Sequence, residues 1–482
     1  MVTTFGSFPG VRVETAGGGI TAVTIGEEEK LVLFGSANYD NEGAFTTTGA
    51  TDPIDGEAVA EEPVQINARR EADTFFGEGS QLADAMRGAL ANGANINFLF
   101  AVAPKRVNVV DEVQTTQSGV LDNAPIYEEN VSDESQIENI VVNDSDDATT
   151  YDVVFRYDGA PASPDAADTV AINPLTGEYA ADAAATGDFE FSYKYLNWGS
   201  AFDAQAVEQT INENETGIFS ALSDSDAVSQ SLQGTVATMR GNYQLVNALT
   251  GSEPNDQEIV TVDGEDLAED FSNYQRADAR YDTGDYENAN QSIDDDYYFK
   301  FAPVRNRNEK TTVVGEIGGL FAGNAISDPI YNEPLSGITS LEQQFTRTDA
   351  NNIRDNNVIP IRQNGSIRVK DNLSTSTETD WERDFWRRRI ADRVILIAKQ
   401  IGESIIGRIN DDETRESAER LIGAELRQLV NDRLLRANTE DQNYWFVDVY
   451  EDSTDPDQVN IDIGFTPLGI VKRVDVSITI NA

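Results

Sequence analysis

Apolar residues along the chain follow two kinds of pattern, and their order predicts the fold. Continuous apolar runs at residues 31–36 and 96–103 are typical of buried strands, and they flank a helical pattern over 80–92 that Ser80 can cap. A strand, a helix and a second strand in this order predict an α/β unit. Helical periodicity over 201–250, and strands with a glycine-rich helix over 297–326, would complete it.

Residues 105–198 have a different pattern. Short alternating runs at 151–157, 169–173 and 189–195 are separated by clusters of Gly, Pro, Asp and Asn. Such spacing of strands and turn residues is typical of all-β structure. Because this segment also holds 19 acidic and only 4 basic residues, we predict an acidic all-β domain inserted into the α/β domain.

The C-terminal part has the most regular patterns. It predicts helices over 381–409 and 414–436, followed by strands over 444–450, 459–465 and 474–480. An alternating strand near a terminus offers an unpaired edge that can join another chain. In the last strand the apolar face consists of Val474, Val476, Ile478 and Ile480.

The N-terminal part predicts an extended arm. Val11 and Val13 alternate with Arg12 and Glu14, and the run Gly17, Gly18, Gly19 follows as a hinge. The whole chain is thus predicted to be a multidomain protein of the α+β or α/β class. Its predicted parts are an arm (1–27), an α/β domain (28–104 with 199–340), an all-β insert (105–198) and a C-terminal domain (341–482).

Composition excludes many kinds of chemistry. The chain has 85 acidic and 35 basic residues, a net charge of −50, and neither His nor Cys. A thiolate nucleophile, a Ser-His-Asp relay and a zinc site with His or Cys ligands are therefore excluded. Nucleic acid and anionic membranes are disfavoured as partners because they are polyanions. With 8 Lys against 27 Arg, we interpret the acidity as adaptation to high salt, the alternative being an ordinary acidic protein.

The charge is unevenly distributed along the chain. Residues 341–482 carry a net charge of −7, and residues 1–340 carry −43. We expect the nearly balanced part to be packed among other protein and the acidic part to face solvent. The one basic, aromatic stretch contains Arg383, Arg387, Arg388 and Arg389. It is either a helix face paired with acids of the same subunit or a cationic patch for an acidic partner, with nucleic acid a third choice.

Candidate catalytic and ligand-binding motifs are weak. The carboxylate clusters at 144–147, 294–296 and 452–457 do not match a calcium loop, and we interpret them as solvated surface. The glycines of 315–323 fit no phosphate-binding motif and predict close helix packing. We predict no enzyme activity, no cofactor and no metal. No secretion signal is visible and the apolar stretch 394–398 is short, so we also predict no direct membrane insertion.

Several segments, taken in order, resemble the contractile tail sheath proteins of myovirus-type phages and related injection systems. One stretch departs from the family's pattern. After residue 365 the family usually has W-G-x-R-T, whereas this chain has VKDNL at 369–373. The similar segments cover roughly 1–104 and 300–482, and they are 8–14 (FPGVRVE), 31–43 (LVLFGSANYDNEG), 63–66 (PVQI), 75–77 (FFG), 93–102 (GANINFLFAV), 318–322 (GGLFA), 333–338 (EPLSGI), 356–360 (NNVIP), 365–367 (GSI) and the helix start at 381–389.

This resemblance implies a sheath core of sheet and helices, a protruding all-β insert and two strand arms. Subunits would form stacked hexameric rings around a tail tube, with Val11–Glu14 and Val474–Ile480 completing sheets of neighbours. Gly17–Gly19 would be the hinge, and the basic patch would face the tube. Implied partners are further copies of the chain, the tail tube protein, and the baseplate and tail terminator proteins. Contraction would drive the tube through a host envelope for genome delivery.

The acidic composition points to a haloarchaeal tailed virus as the source. The expected location is the virion tail, and the host cytoplasm during assembly. The alternatives are the sheath of a non-viral contractile injection system and, after it, a surface structural protein of a halophile. A carboxylate-dependent hydrolase comes last.

Overall fold

The computed structural model describes most of the chain but leaves gaps. The predicted arm over 1–27, with Val11–Glu14 and Gly17–Gly19, and the predicted last strand, Val474–Ile480, lie outside the described residues. The described residues are 29–39, 47–126, 140–145, 149–155, 163–164, 167–185, 188–212, 215–252, 298–301, 312–328, 330–338, 340–341, 350–351, 353–354, 357–375, 384–440 and 442–469.

Strands predominate in the first half of the chain, helices and strands are mixed over 198–323, and two long helices precede the last strands. The strands are β1 (Lys30–Phe34), β2 (Thr51–Asp52), β3 (Val64–Gln65), β4 (Leu99–Val102), β5 (Lys105–Gln114), β6 (Ser118–Val120), β7 (Ile140–Asp144), β8 (Thr150–Phe155), β9 (Thr169–Ile172), β10 (Glu178–Ala181), β11 (Phe189–Asn197), β12 (Thr216–Ala221), β13 (Leu245–Gly251), β14 (Tyr298–Phe301), β15 (Val358–Ile359), β16 (Ile361–Asn364), β17 (Ser366–Val369), β18 (Trp445–Glu451) and β19 (Val459–Phe465). The α-helices are α1 (Glu71–Phe76), α2 (Gln81–Ala91), α3 (Trp198–Phe202), α4 (Gln205–Glu208), α5 (Asp226–Gly241), α6 (Val314–Gly323), α7 (Phe385–Ile405) and α8 (Asp412–Asn431), and a 3₁₀ turn covers Ile96–Phe98.

The main core surrounds a 7-stranded sheet in the order β15-β14-β13-β12-β1-β4-β3. Its strands are parallel except for the edge strand β3. In β1 every residue from Leu31 to Phe34 is buried, which explains its continuous apolar run, because a parallel sheet is covered on both faces. The predicted strand at 31–36 and the predicted helix at 80–92 are confirmed, and the Ser80 side chain accepts a hydrogen bond from the Ala83 N–H.

Helices α2 and α6 pack closely together beside this sheet. A Cβ atom added at Gly319 would lie 2.3 Å from the Ala89 carbonyl oxygen, and one at Gly315 would lie 2.7 Å from the Ala85 Cβ. Only glycine permits this approach, so larger residues there would force the helices apart. The glycine-rich segment is therefore a packing surface, as predicted.

The second sheet has 8 strands in the order β2-β5-β11-β7-β8-β9-β10-β6. The strands predicted at 151–157, 169–173 and 189–195 correspond to β8, β9 and β11, and the described part of 105–197 contains strands and no helix. Its core contains aromatic side chains in contact, such as Tyr179 and Phe191, whose ring centroids lie 4.7 Å apart with the ring planes tilted by 54°.

Strand pairing crosses two of the predicted domain boundaries. β2, from the segment 28–104, pairs with β5 of the predicted insert, and β15, beyond residue 340, pairs with β14. Both crossing strands, β2 and β15, have only 2 residues, too few to show an alternating pattern in the sequence.

The helical periodicity predicted over 201–250 is only partly confirmed. The helices α3, α4 and α5 are there, but β12 lies between α4 and α5, β13 follows α5, and the two strands pair in the middle of the large sheet. These two strands contain buried polar residues, which interrupt their apolar runs. One of them, Thr250, is satisfied by the Ser229 hydroxyl at 3.1 Å.

The C-terminal helices and strands form a second core. α7, α8 and the hairpin of β18 and β19 pack around apolar side chains that include Val394, Ile422 and Leu426. The helices begin at side-chain caps, Asp384 accepting from the Trp386 N–H and Asp411 from the Thr414 N–H. The predicted strand at 459–465 is confirmed, and the one predicted at 444–450 lies one residue later.

Candidate assembly interface

The C-terminal hairpin forms a sheet of only 2 strands, β18 and β19. β18 and β19 pair antiparallel, from Trp445 opposite Phe465 to Glu451 opposite Val459. At the turn, the Asp452 carboxylate accepts hydrogen bonds from the Thr454 hydroxyl at 2.7 Å and from the Asn460 amide at 2.9 Å. These bonds lower the pKa of Asp452, so the carboxylate stays ionised and holds the turn.

The hairpin has an apolar inner face and a polar outer face. Trp445, Val447 and Val449 of β18 pack against the second core, together with Ile461 and Ile463 of β19. Because side chains alternate along a strand, the residues between them point away from the core. The outer face consists of Phe446, Asp448 and Tyr450 of β18 and Asn460, Asp462 and Gly464 of β19.

The hydrogen-bond pattern shows which backbone groups point away from the hairpin. The Asp452 N–H donates to the Gln458 carbonyl at 3.0 Å, and in an antiparallel ladder such bonded pairs alternate with pairs whose backbone groups point outward. By this alternation the outer edge of β18 presents Trp445, Val447, Val449 and Glu451. The outer edge of β19 presents Val459, Ile461, Ile463 and Phe465.

One end of the β18 edge is closed. The Trp445 N–H donates to Asn438 Oδ1, and Asn438 Nδ2 donates to the Trp445 carbonyl, both at 2.9 Å. The backbone groups of Val447, Val449 and Glu451 that point outward have no partner among the described residues. The hairpin therefore presents a short open edge along β18 and a longer one along β19.

The basic stretch at the start of α7 is mostly directed into the subunit. Arg389 is 1% exposed; its Nε donates to Glu29 Oε1 at 3.0 Å and one terminal nitrogen donates to the Asn324 carbonyl at 2.8 Å. Burial raises the pKa of Glu29, although the Arg389 charge acts in the opposite direction.

Arg388 belongs to a second buried cluster. Its Nη2 lies 2.7 Å from Asp392 Oδ1, and Arg240 Nη2 lies 2.5 Å from the same oxygen. Burial alone would raise the pKa of Asp392, but the two guanidinium groups lower it, so this buried carboxylate is ionised. The cluster joins α7 to α5.

Part of the basic stretch that we predicted to face the tube is used inside the subunit. Arg388 and Arg389 pair with acids of their own subunit, which was the alternative interpretation of this stretch. Arg387 is half-buried, and Arg383 lies outside the described residues. For Arg383 and Arg387 a contact with the tube stays a prediction.

Sequence reasoning missed several residues of the hairpin. The closure of the β18 edge by Asn438 depends on a loop side chain whose partner is set by the tertiary fold. The directly opposite positions of Asp448 and Asp462 depend on the strand register. The alternating runs at 445–451 and 459–465 could have indicated a hairpin with two aspartates on one face, but not their pairing.

Other kinds of site find no support in the described part of the chain. No group of three or more acidic side chains there is arranged to hold a metal ion. Among the same residues, no helix has the length and apolar character needed to cross a membrane.

Comparison with known proteins gives a likeness in fold. The sequence matches no protein-family model and no curated protein. A chain of the 6-fold symmetrised baseplate of the anti-feeding prophage (AFP) aligns over 99% of this chain and 100% of its own, with a TM-score of 0.55 and 11% identity. The AFP helical sheath in the contracted state aligns over 98% and 99%, with a TM-score of 0.52 and 13% identity.

A third structure agrees with these. The contracted sheath complex of an extracellular contractile injection system, PVC, aligns over 99% of this chain and 98% of its own, with a TM-score of 0.53 and 12% identity. The protein thus shares its mixed α/β fold with contractile sheath proteins over nearly its whole length.

Proposed function

We propose that this protein is the structural subunit of a contractile tail sheath. It polymerises as stacked hexameric rings around a tail tube and contracts to drive the tube through a host envelope during genome delivery. The fold shared with contractile sheath structures over 98–99% of the chain supports this proposal. The function is mechanical and requires no catalytic residue or cofactor.

The observation that carries the proposal is the incomplete C-terminal sheet. It has 2 strands, an apolar inner face already packed on α7 and α8, and outer edges with unpaired backbone groups in the described chain. An isolated two-stranded sheet is marginal in water, and added strands complete its ladder. The donors we propose are the alternating segments Val11–Glu14 and Val474–Ile480 of neighbouring subunits, with Gly17–Gly19 as the hinge.

The buried ion pairs suggest how a subunit moves during contraction. Glu29 is the first described residue after the arm, and Arg389 binds it to α7, while Asp392 joins α7 to Arg240 of α5. Breaking a buried pair is costly, so the C-terminal helices and the large sheet move as one body. Contraction is then a rearrangement between subunits, with the exchanged strands kept in place.

The charge distribution is consistent with this arrangement. The C-terminal part, with a net charge of −7, becomes buried among neighbours and tube, and the acidic remainder faces the solvent. In molar salt the Debye length is about 3 Å, which permits such an acidic surface. We therefore propose a halophilic source and a haloarchaeal tailed virus, with assembly in the host cytoplasm and the virion tail as final location.

A second candidate is the sheath of a non-viral contractile injection system. It is favoured by one specific observation, because the sheath structures reported above belong to AFP and to an extracellular contractile injection system. In both cases the proposed partners are further copies of this chain, a tube protein, and baseplate and tail terminator proteins, without nucleic acid. A halophile surface protein and a hydrolase have no support of this kind.

Negative-stain electron microscopy of the purified full-length protein in high salt tests the proposal. We expect striated hollow tubes. Deleting residues 474–482 should leave a folded protein that forms none, because the donor strand is lost. As a matched pair, Val476→Asp should abolish tubes and Ser477→Asp should not, since only the first disrupts the apolar face. Intact tubes from the truncated protein would contradict strand exchange.

A further inference from the structure

Two arginines lie directly opposite each other in the short hairpin of β16 and β17. Arg362 of β16 is paired with Arg368 of β17. Ile361, Ile367 and Val369 are buried in the main core, so the two arginines between them lie on the opposite face of the hairpin. Like charges in this position destabilise a strand pair. Among the strand pairs that the structure describes, no other places two basic residues opposite each other.

Lys370 adds a third positive charge to this face. It directly follows β17, two residues after Arg368, and therefore lies on the same side of the hairpin. Partial burial and the charges of Arg362 and Arg368 lower the pKa of Lys370, which shows that the three groups share one positive field. We call Arg362, Arg368 and Lys370 the cationic face.

Arg368 and Lys370 bind neutral oxygen atoms rather than carboxylates. Arg368 Nε donates to Ser366 Oγ at 2.8 Å, and Arg368 Nη1 donates to the Asn332 carbonyl at 2.6 Å. Lys370 Nζ donates to Asn332 Oδ1 at 2.5 Å. Both side chains are half-buried and held in place, but neither forms an ion pair with an acidic side chain of the described residues.

The two acidic residues nearest in the fold do not neutralise these charges. Asp371, the next residue after Lys370, is fully buried and its carboxylate lies 2.5 Å from Arg354 Nε. Glu333 is held beside β17 by its carbonyl, which accepts from the Val369 N–H at 3.1 Å, but its carboxylate has no ion pair with a described residue. The described part of the subunit thus maintains a repulsive arrangement that it does not use itself. Such local conflicts are expected at functional sites.

We propose that the cationic face is a docking site for a carboxylate-rich surface of a second copy of this chain. This inference rests on the proposed sheath function and specifies one of its contacts. The chain has 85 acidic and 35 basic residues, so a second copy offers surfaces of complementary charge. An arginine can bind a carboxylate through two parallel hydrogen bonds. Nucleic acid is the poorer occupant, because the net charge of −50 repels it.

The contact joins two different surfaces. Two copies of the cationic face repel each other, which excludes a two-fold symmetric contact through it. Contacts between unlike surfaces generate rings or helical filaments instead of closed dimers, so the cationic face suits an assembly of many subunits. Asn332 already holds Arg368 and Lys370, which reduces the side-chain entropy that docking would cost.

Carbodiimide cross-linking tests the proposal, because this reagent joins a lysine amine to a carboxylate in contact with it. The chain has only 8 Lys, so mass spectrometry can assign the products. Isotope-labelled and unlabelled protein are mixed and assembled in high salt, and linked peptides of mixed isotope content then come from two chains. We expect mixed products that join Lys370 to an Asp or Glu. Lys30 is the matched control, since its amine contacts Glu215 of the same subunit and should give only products within one chain.

Charge variants separate docking from a structural role. Arg368→Glu with Lys370→Glu should raise the protein concentration needed for polymerisation by roughly tenfold, because two attractions become repulsions. Lys370→Arg keeps the charge and should change this concentration by less than about twofold. Lys370→Gln should weaken polymerisation without lowering the urea midpoint of the dilute, unassembled subunit, because it relieves the repulsion. A structural role would lower that midpoint.

The outcomes also separate this inference from the proposed function. If tubes form but Lys370 is joined only within its own chain, or to nothing, the docking site is refuted and the sheath function stands. If mixed products of Lys370 appear without tubes, the docking site stands and the sheath function fails. If neither tubes nor mixed products form, both fail. A lowered urea midpoint for Lys370→Gln overturns the docking site whatever the tubes show.

Discussion

The large parallel sheet and the C-terminal hairpin satisfy their backbone groups in opposite ways. β1 is hydrogen-bonded on both sides, to β12 and β4, and its apolar side chains are buried on both faces. The hairpin has one covered face, an exposed aromatic residue, Phe446, on the other, and open edges in the described chain. The first region is complete within one subunit. The second leaves strand edges unpaired within the described chain, and in the assembly that we propose these edges would be completed by neighbouring subunits.

The largest expected effect on stability comes from replacing a phenylalanine in the large sheet, and the same replacement in the hairpin is its control. Phe34 is fully buried, with its ring centroid 4.9 Å from that of Phe202, whereas Phe446 is 52% exposed. Phe34→Ala should lower the free energy of unfolding by about 3–5 kcal/mol, because it leaves a cavity. Denaturant unfolding in high salt measures it. Phe446→Ala should cost less than about 1 kcal/mol, and equal losses would contradict the comparison.

The buried charges of α7 should give a similar or slightly smaller effect. Asp392→Ala leaves Arg240 and Arg388 without their counter-ion, which should cost about 3–5 kcal/mol, toward the lower end because water reaches both guanidinium groups. Glu403, the exposed partner of Lys399, is the control, and Glu403→Ala should cost less than about 1 kcal/mol. In thermal unfolding, the midpoint temperature of Asp392→Ala should be clearly lower than that of Glu403→Ala.

Acidification should weaken the ion pairs that Asp392 makes with Arg240 and Arg388. The pKa of Asp392 is lowered from 3.8 in the folded protein, so its stabilising contribution is present above about pH 4 and is lost as the pH falls through the folded value. Glu29 acts in the opposite direction, since its raised pKa makes protonation easier in the folded state. Asp392→Asn should therefore lose less stability than the native protein below pH 3.8. If plots of the free energy of unfolding against pH are parallel for the two proteins, Asp392 is not ionised in the folded state.

The smallest effect concerns the closed end of the β18 edge. Asn438→Ala removes two hydrogen bonds with the Trp445 backbone and one from the Tyr444 N–H, which should lower the free energy of unfolding by only about 1 kcal/mol because water can replace them. Denaturant unfolding in high salt measures this loss. A loss as large as that of Phe34→Ala would contradict the comparison.

Sequence patterns predicted much of the fold where one physical signal dominated. β1, the capped helix α2, the helix pair α7 and α8 and the strand β19 all follow from regular patterns. β12 and β13 were missed because buried polar residues such as Asn247 and Thr250 interrupt their apolar runs. Their strand character depends on partners elsewhere in the sheet, which local periodicity does not contain.

The candidate interface was predictable in part. Alternation indicated the hairpin strands, and the donor strands stay a prediction. The pairing of Arg388 and Arg389 with acids of their own subunit was not predictable, because arginines on a helix carry no local sign of whether their partners lie inside or outside the subunit. Glu29 is 360 residues from Arg389 in sequence, and only the fold brings them together. The tertiary fold therefore determines which of these arginines pair within the subunit.

By itself, the sequence determined the classes of chemistry that are excluded, the uneven distribution of the −50 charge and the alternating apolar pattern of the hairpin strands. These properties are local or additive, so counting and spacing reveal them. Tertiary structure alone decided which arginines are buried, which edge of the hairpin Asn438 closes and that Asp448 faces Asp462. Those properties depend on register and on contacts between distant segments, which cooperative packing sets for the chain as a whole.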